Sequence, residues 1–279
     1  MQKYLDILLE LFSYPFMQRA LIISIIIGIC CAIISCFLIL KGWAMIGDAI
    51  SHSVLPGLAV AHILAIPAAL GAFLSALLCT VTLGYVKNNS KLKEDTILGI
   101  ILSVFFALGI VLISLTSKDQ HMLHILFGNI LGITNIDFFQ TIITAVFTLM
   151  VLLLKYKDFM LLCFDDVQAN SIGLPVKLMN NILLILLALT IVSGMKTAGV
   201  ILIIAMVIIP GIIALMLCRN FPSMLIISVM SSVFASVTGL IISYFADIPT
   251  GAVIVGILSM IFVAAIAIKF TRNIINNFK

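Results

Sequence analysis

Nine stretches of this sequence are apolar and long enough to cross a bilayer, which takes about 20 helical residues. They fall at about 20–40, 45–65, 67–86, 96–115, 137–154, 178–194, 199–217, 224–244 and 251–268, with eight to ten spans allowed because several are short or hold Gly and Pro. Hydrophobic residues make up 63% of the 279 and charged residues only 9%. A soluble chain of this size needs about 25% charge to cover its surface. The composition therefore excludes a disordered chain, a nucleic-acid-binding domain and an ordinary cytosolic enzyme. The fold class expected is all-α, a polytopic transmembrane helical bundle forming a single domain over residues 1–279.

Charge sets the topology, since basic residues collect in cytoplasmic loops. Lys87, Lys91 and Lys93 mark residues 87–95, and Lys155, Lys157 and Lys177 mark 155–177. Arg219, Lys269, Arg272 and Lys279 mark 218–223 and the C-terminus. These segments are expected in the cytoplasm, which puts the N-terminus outside after nine spans. Residues 3–16 alternate charge and bulk at helical spacing and read as an interfacial helix. Acidic Asp6 and Glu10 interrupt the first apolar stretch, so no cleavable leader is expected. The six cysteines form no CxxC pair and read as small buried hydrophobes. There is no GxxxxGK(S/T) motif, so the chain does not hydrolyse a nucleotide through a P-loop.

The most informative stretch is GWAMIGDAISHSVLPG, residues 42–57. An ionisable residue at membrane depth costs about 2.5–3.5 kcal/mol on insertion scales. Asp48 and His52 lie four apart and so share a helical face. One carboxylate and one imidazole suit Mn2+, Fe2+ or Zn2+ better than Cu+. The alternative is a capping Asp48 with His52 as its hydrogen-bonded neighbour. Gly47, Pro56 and Gly57 are expected to let this helix break, as backbones lining a cavity do.

Three further stretches carry weaker signals. In KYKDFMLLCFDDVQANSIGLPVK (155–177), Asp165 and Asp166 can start a short helix, Gly173 can end it and Pro175 blocks its continuation. That helix is either a docking element for a soluble partner or a capped connection. His121 and His124 lie three apart at an outer edge, and His62 lies near an outer helix end. Each either meets an incoming ion or is simply solvated. Pro210 is expected to kink the seventh span, with Met195 and Met206 as soft ligands or packing.

GDAISHSVLPG (47–57), HILFGNILGI (124–133), CFDDVQANSIGLP (163–175) and AGVILIIAMVIIPG (198–211) resemble the membrane permease of the manganese/zinc/iron class of ABC importers, over roughly residues 17–270. The GDAISH and VLPG wording looks like the manganese and iron branch. The resemblance implies a fold similar to the vitamin B12 importer type, with a dimeric pore made with a second copy or a paralogue. It implies an ABC ATPase dimer on the cytoplasmic face and an extracytoplasmic metal-binding protein. Asp48 and His52 would be transient pore ligands. Phe164, Asp165, Ala169 and Gly173 would match the segment that couples to the ATPase, a helix over 163–175. The cargo would be a divalent metal, Mn2+ before Fe2+ or Zn2+, with no permanent cofactor and no nucleic-acid partner. The setting would be membrane lipid, in a bacterial cytoplasmic (inner) membrane. Competing readings are a chelate or vitamin permease of the same fold, a secondary metal transporter, and an intramembrane metalloprotease. The last lacks HExxH: Ser51 precedes His52 and no Glu follows.

Overall fold

A computed structural model of the chain describes residues 14–116 and 133–277. The described residues form helices α1 (Pro15–Leu40), α2 (Ala44–Ile63), α3 (Ala68–Asn89), α4 (Glu94–Thr116), α5 (Asn135–Leu154), α6 (Tyr156–Phe164), α7 (Asp166–Ser171), α8 (Val176–Ala198), α9 (Val200–Leu217), α10 (Phe221–Ala246) and α11 (Thr250–Asn277). Nine of them, all but α6 and α7, are long and apolar enough to cross a membrane. The architecture is all-α and polytopic, as the apolar runs require. His121, His124 and nearly all of the interfacial segment 3–16 lie outside the described residues.

Several helix ends follow from local chemistry. α1 closes in a Schellman turn: Trp43 N–H donates to Leu38 C=O at 2.8 Å and Gly42 N–H to Ile39 C=O at 3.1 Å. Gly42 sits at φ +73°, where a side chain would be strained. Thr134 starts α5 by accepting from Asp137 N–H, while its hydroxyl donates to Asp137 Oδ2 at 2.7 Å. Pro222 at the start of α10 loses no bond there, because the first amides of a helix have no partner inside it.

The helices group into two compact units. The first holds residues 14–36, 133–147 and 194–277. Lipid offers no hydrophobic drive between helices, so small residues and hydroxyls set the contacts. Ser232 donates to Gly28 C=O and Ser228 to Ala32 C=O, each at 2.9 Å, and Cys36 Sγ lies 3.7 Å from Met224 C=O. Four-residue steps on α1 thus meet four-residue steps on α10 in antiparallel register. α9 passes through Pro210 as one helix. Ser35 supports it there, accepting from Gly211 N–H at 3.0 Å and donating to Ile208 C=O at 3.2 Å. The expected kink site is thus braced by a neighbouring hydroxyl. Met195 and Met206 are buried, in keeping with packing.

The second unit runs from Phe37 through the described part of α4 and from Thr148 to Ser193. Here α2 packs against both α3 and α4. A methyl built on Gly57 would overlap the Gly71 carbonyl, and one on Gly71 would overlap that of Gly57. Ser75 donates to Ser53 C=O at 2.6 Å, and Cys79 Sγ lies 3.9 Å from Ala49 C=O. Positions 49, 53 and 57 therefore meet 79, 75 and 71. α2 stays a single helix through Pro56, so the expected break does not occur. Gly57 serves close backbone approach instead, and Ser75 donates to the Ser53 carbonyl in the turn that precedes Pro56.

Candidate functional site

α2 is the least apolar of the nine long helices and the most buried. A helix facing protein rather than lipid can carry polar side chains at depth. Asp48 and His52 sit on consecutive turns of α2, with His52 Nε2 3.4 Å from Asp48 Oδ1. Their side chains are 26% and 28% exposed, so the pair reaches open space. The His52 ring meets the edge of Phe106 on α4, with centroids 5.1 Å apart. Its Nδ1 is buried without a hydrogen-bond partner. A carboxylate and an imidazole one turn apart are the kinds of donor that divalent transition-metal ions accept. Asp48 is the fifth residue of α2 and makes no side-chain cap, which argues against the capping alternative.

Among the described residues, no three His, Cys, Asp or Glu gather into a metal-binding cluster. His62 lies exposed in the last turn of α2. Ten residues of helix separate it from His52, about 15 Å of rise. An apolar hollow of about 580 Å3 opens beside Pro56 and Gly57, between α2, α3 and α4. Its lining carries one side-chain hydroxyl, that of Ser75, which donates to Ser53 C=O, and no carboxylate, imidazole or thiol. Lys196 Nζ pairs with Asp137 Oδ1 at 3.4 Å.

The 155–177 segment holds two short helices. α6 was not foreseen; at nine residues it is too short for a span, yet it buries Phe159, Leu162 and Cys163. Phe37 packs on Phe159 with centroids 6.0 Å apart. Asp165 caps α7, one carboxylate oxygen accepting from Val167 N–H at 2.9 Å and Gln168 N–H at 3.0 Å. Gly173, at φ +85°, closes α7 in the same turn that ends α1: Gly173 N–H donates to Asn170 C=O and Leu174 N–H to Ala169 C=O. Helix α7 is shorter than the 163–175 expected, because Cys163 and Phe164 finish α6 and Pro175 precedes α8. Ala169 is buried, while Phe164, Val167 and Ile172 are exposed. A hollow of about 610 Å3 lies beside α7, lined by Asp166, Val167, Asn170 and Pro175 through Leu178.

Lys41 escaped the sequence reading. Its Nζ lies 2.9 Å from Asp166 Oδ1, 3.3 Å from Leu162 C=O and 4.9 Å from the Trp43 ring centroid. The available signal was a lysine directly ahead of the GW pair that opens the most informative stretch.

The model of the ABC 3 transport family matches residues 13–269. The chain belongs to the ABC 3 transport family. Within it, the chelated iron transport system membrane protein YfeD of Yersinia pestis is 53% identical over 274 residues, 98% of this chain and 92% of that one. The manganese transport system membrane protein MntB of Synechocystis is 47% identical, covering 92% of this chain and 84% of the relative. Among solved structures, PsaBC from Streptococcus pneumoniae in complex with Fab matches with TM-score 0.84 and 37% identity, over 94% and 95% of the two chains. An inward-facing metal-chelate type ABC transporter shares the fold, with TM-score 0.68 at 16% identity. As an ABC 3 family member, the chain is a multi-pass membrane transport subunit and not an enzyme.

Proposed function

We propose that this chain is the permease of an ATP-driven importer for divalent transition-metal ions, Mn2+ first and Fe2+ or Zn2+ next, in a bacterial cytoplasmic membrane. The observation that carries the reading is the Asp48–His52 pair, 3.4 Å apart and partly open, on the most buried helix of an ABC 3 family chain. Each chain brings two ligands, so a second permease copy or a paralogue would complete the set. Two carboxylates would offset most of a dication's charge in low dielectric. The site must bind weakly enough to release the ion, and water completing the shell serves that end.

Asp165, Ala169 and Gly173 build α7, and Phe164 beside it stands exposed; an ABC ATPase dimer would dock there. An extracytoplasmic metal-binding protein would deliver the ion on the opposite side. No resident cofactor is needed, since the metal is cargo.

The test is uptake of radioactive Mn2+ by cells making Asp48→Ala or His52→Ala at normal level. Uptake should fall at least about tenfold, the effect of losing a ligand worth about 1.4 kcal/mol or more. Uptake equal to the parent protein would remove the pore-ligand assignment. Competition by free Fe2+, free Zn2+ and chelated iron in the same assay ranks the cargo. Blockage by the chelate alone would favour a chelate permease.

A further inference from the structure

Lys41 takes no part in the reading above, yet its side chain is only 6% exposed. Lysine is almost never fully buried without a partner, because its ammonium is costly to desolvate. Here the partners come from three places. Asp166 is the first residue of α7, Leu162 belongs to the last turn of α6, and Trp43 directly precedes α2. Lys41 itself directly follows α1, in a turn that holds Gly42 at positive φ.

The two adjacent acids of α7 divide their work. Asp165 is occupied by its own helix, capping two amides. Asp166 points back to Lys41. The ammonium therefore ties α6 and α7 to the short Lys41–Gly42–Trp43 turn, and that turn runs straight into the helix bearing Asp48 and His52. A charge-assisted bond with a shielded donor is stiffer than an exposed surface pair.

We propose that Lys41 is a positioning residue that makes α7 and the first turns of α2 move as one piece, so that displacement of α7 is delivered to the Asp48–His52 pair. This rests on the reading of α7 as the ATPase contact. Lys41 would touch neither the ion nor the ATPase. Its role is to keep the two contacts in step.

The experiment uses the whole transporter, permease with its ATPase, in liposomes, driven by the binding protein loaded with Mn2+. Both ATP hydrolysed and Mn2+ transported are measured. In Lys41→Met, the ATPase should still co-purify and basal hydrolysis should persist. Ions moved per ATP should fall about fivefold or more, the lower end of ordinary coupling factors. Lys41→Arg should restore most of the ratio, since guanidinium can reach both oxygen acceptors. If Lys41→Met does not assemble, Asp166→Asn removes the anion while leaving Lys41 an amide and a carbonyl oxygen, and should lower the same ratio. An unchanged ratio in whichever of these variants assembles overturns the proposal. Val167→Asp, on the exposed face of α7, separates the two readings. If it abolishes stimulation while the Lys41 variants stay coupled, the Lys41 role alone falls. If it leaves stimulation intact, α7 is not the ATPase contact and both fall.

Discussion

Gly57 and Gly71 bring the backbones of α2 and α3 so close that a methyl on either would overlap the carbonyl oxygen of the other. Those oxygens belong to helical backbone and cannot swing aside. Gly57→Ala and Gly71→Ala should each destabilise the protein by about 1–3 kcal/mol through overpacking. The double variant should cost less than the sum, since the first change already separates the helices. The measurement is the fraction surviving in solution after graded heating in detergent. Full parental resistance in either single variant would contradict the close crossing.

Ser35 braces α9 at Pro210 through two bonds, to Gly211 N–H and to Ile208 C=O. Removing its hydroxyl leaves buried backbone groups without these partners, a loss of about 1–3 kcal/mol. Ser35→Ala should lower thermal resistance and speed amide exchange at Gly211. Substituting Ser103, whose exposed hydroxyl bonds only the preceding turn of its own helix, should do neither.

Asp165 should be replaceable by Asn but not by Ala. Asn caps as well as Asp, whereas Ala costs about 1 kcal/mol. Amide exchange at Val167 and Gln168 should quicken in Asp165→Ala and stay slow in Asp165→Asn. If ATPase stimulation follows the same order, the carboxylate acts by shaping α7. Loss of stimulation in Asp165→Asn with α7 intact would instead assign the charge to a direct contact.

Burial pushes the Cys163 thiol up to about 12, against the partial counter-effect of the Lys41 ammonium. The thiolate is the reactive form. Maleimide labelling of a variant keeping only Cys163 should therefore be slow at neutral pH and rise about tenfold per pH unit toward that value. A folded value above the unfolded one, about 8.5, means that Cys163 supports the fold below pH about 8.5. That support is lost as pH rises toward about 12. Rapid labelling at neutral pH would place Cys163 at the surface.

Helix positions were legible because an apolar run of bilayer length has few alternatives. The run at 199–217 became Val200–Leu217, and that at 45–65 became Ala44–Ile63. Asp48 and His52 were equally visible, since two ionisable groups one turn apart stand out in hydrocarbon. The short helix at 166–171 announced itself through Asp165, Gly173 and Pro175, which carry its cap, its left-handed exit and its stop. α6 was hidden because its apolar residues sit among lysines and aspartates, and burial of Phe159 depends on Phe37, 122 positions away.

The sequence alone determined what local chemistry can enforce: which segments are long and apolar enough to span, where caps fall, and which polar groups sit at depth. Tertiary structure decided what depends on distant partners. Gly57 and Pro56 read as a helix break, whereas in the fold Gly71 fills the approach to Gly57 and Ser75 bonds the Ser53 carbonyl in the turn before Pro56. Asp165 and Asp166 are chemically identical neighbours: local backbone makes Asp165 the cap, while Asp166 finds its partner only through the position of Lys41. The physical reason is that composition fixes a residue's desolvation cost, while the groups that meet that cost come from elsewhere in the chain.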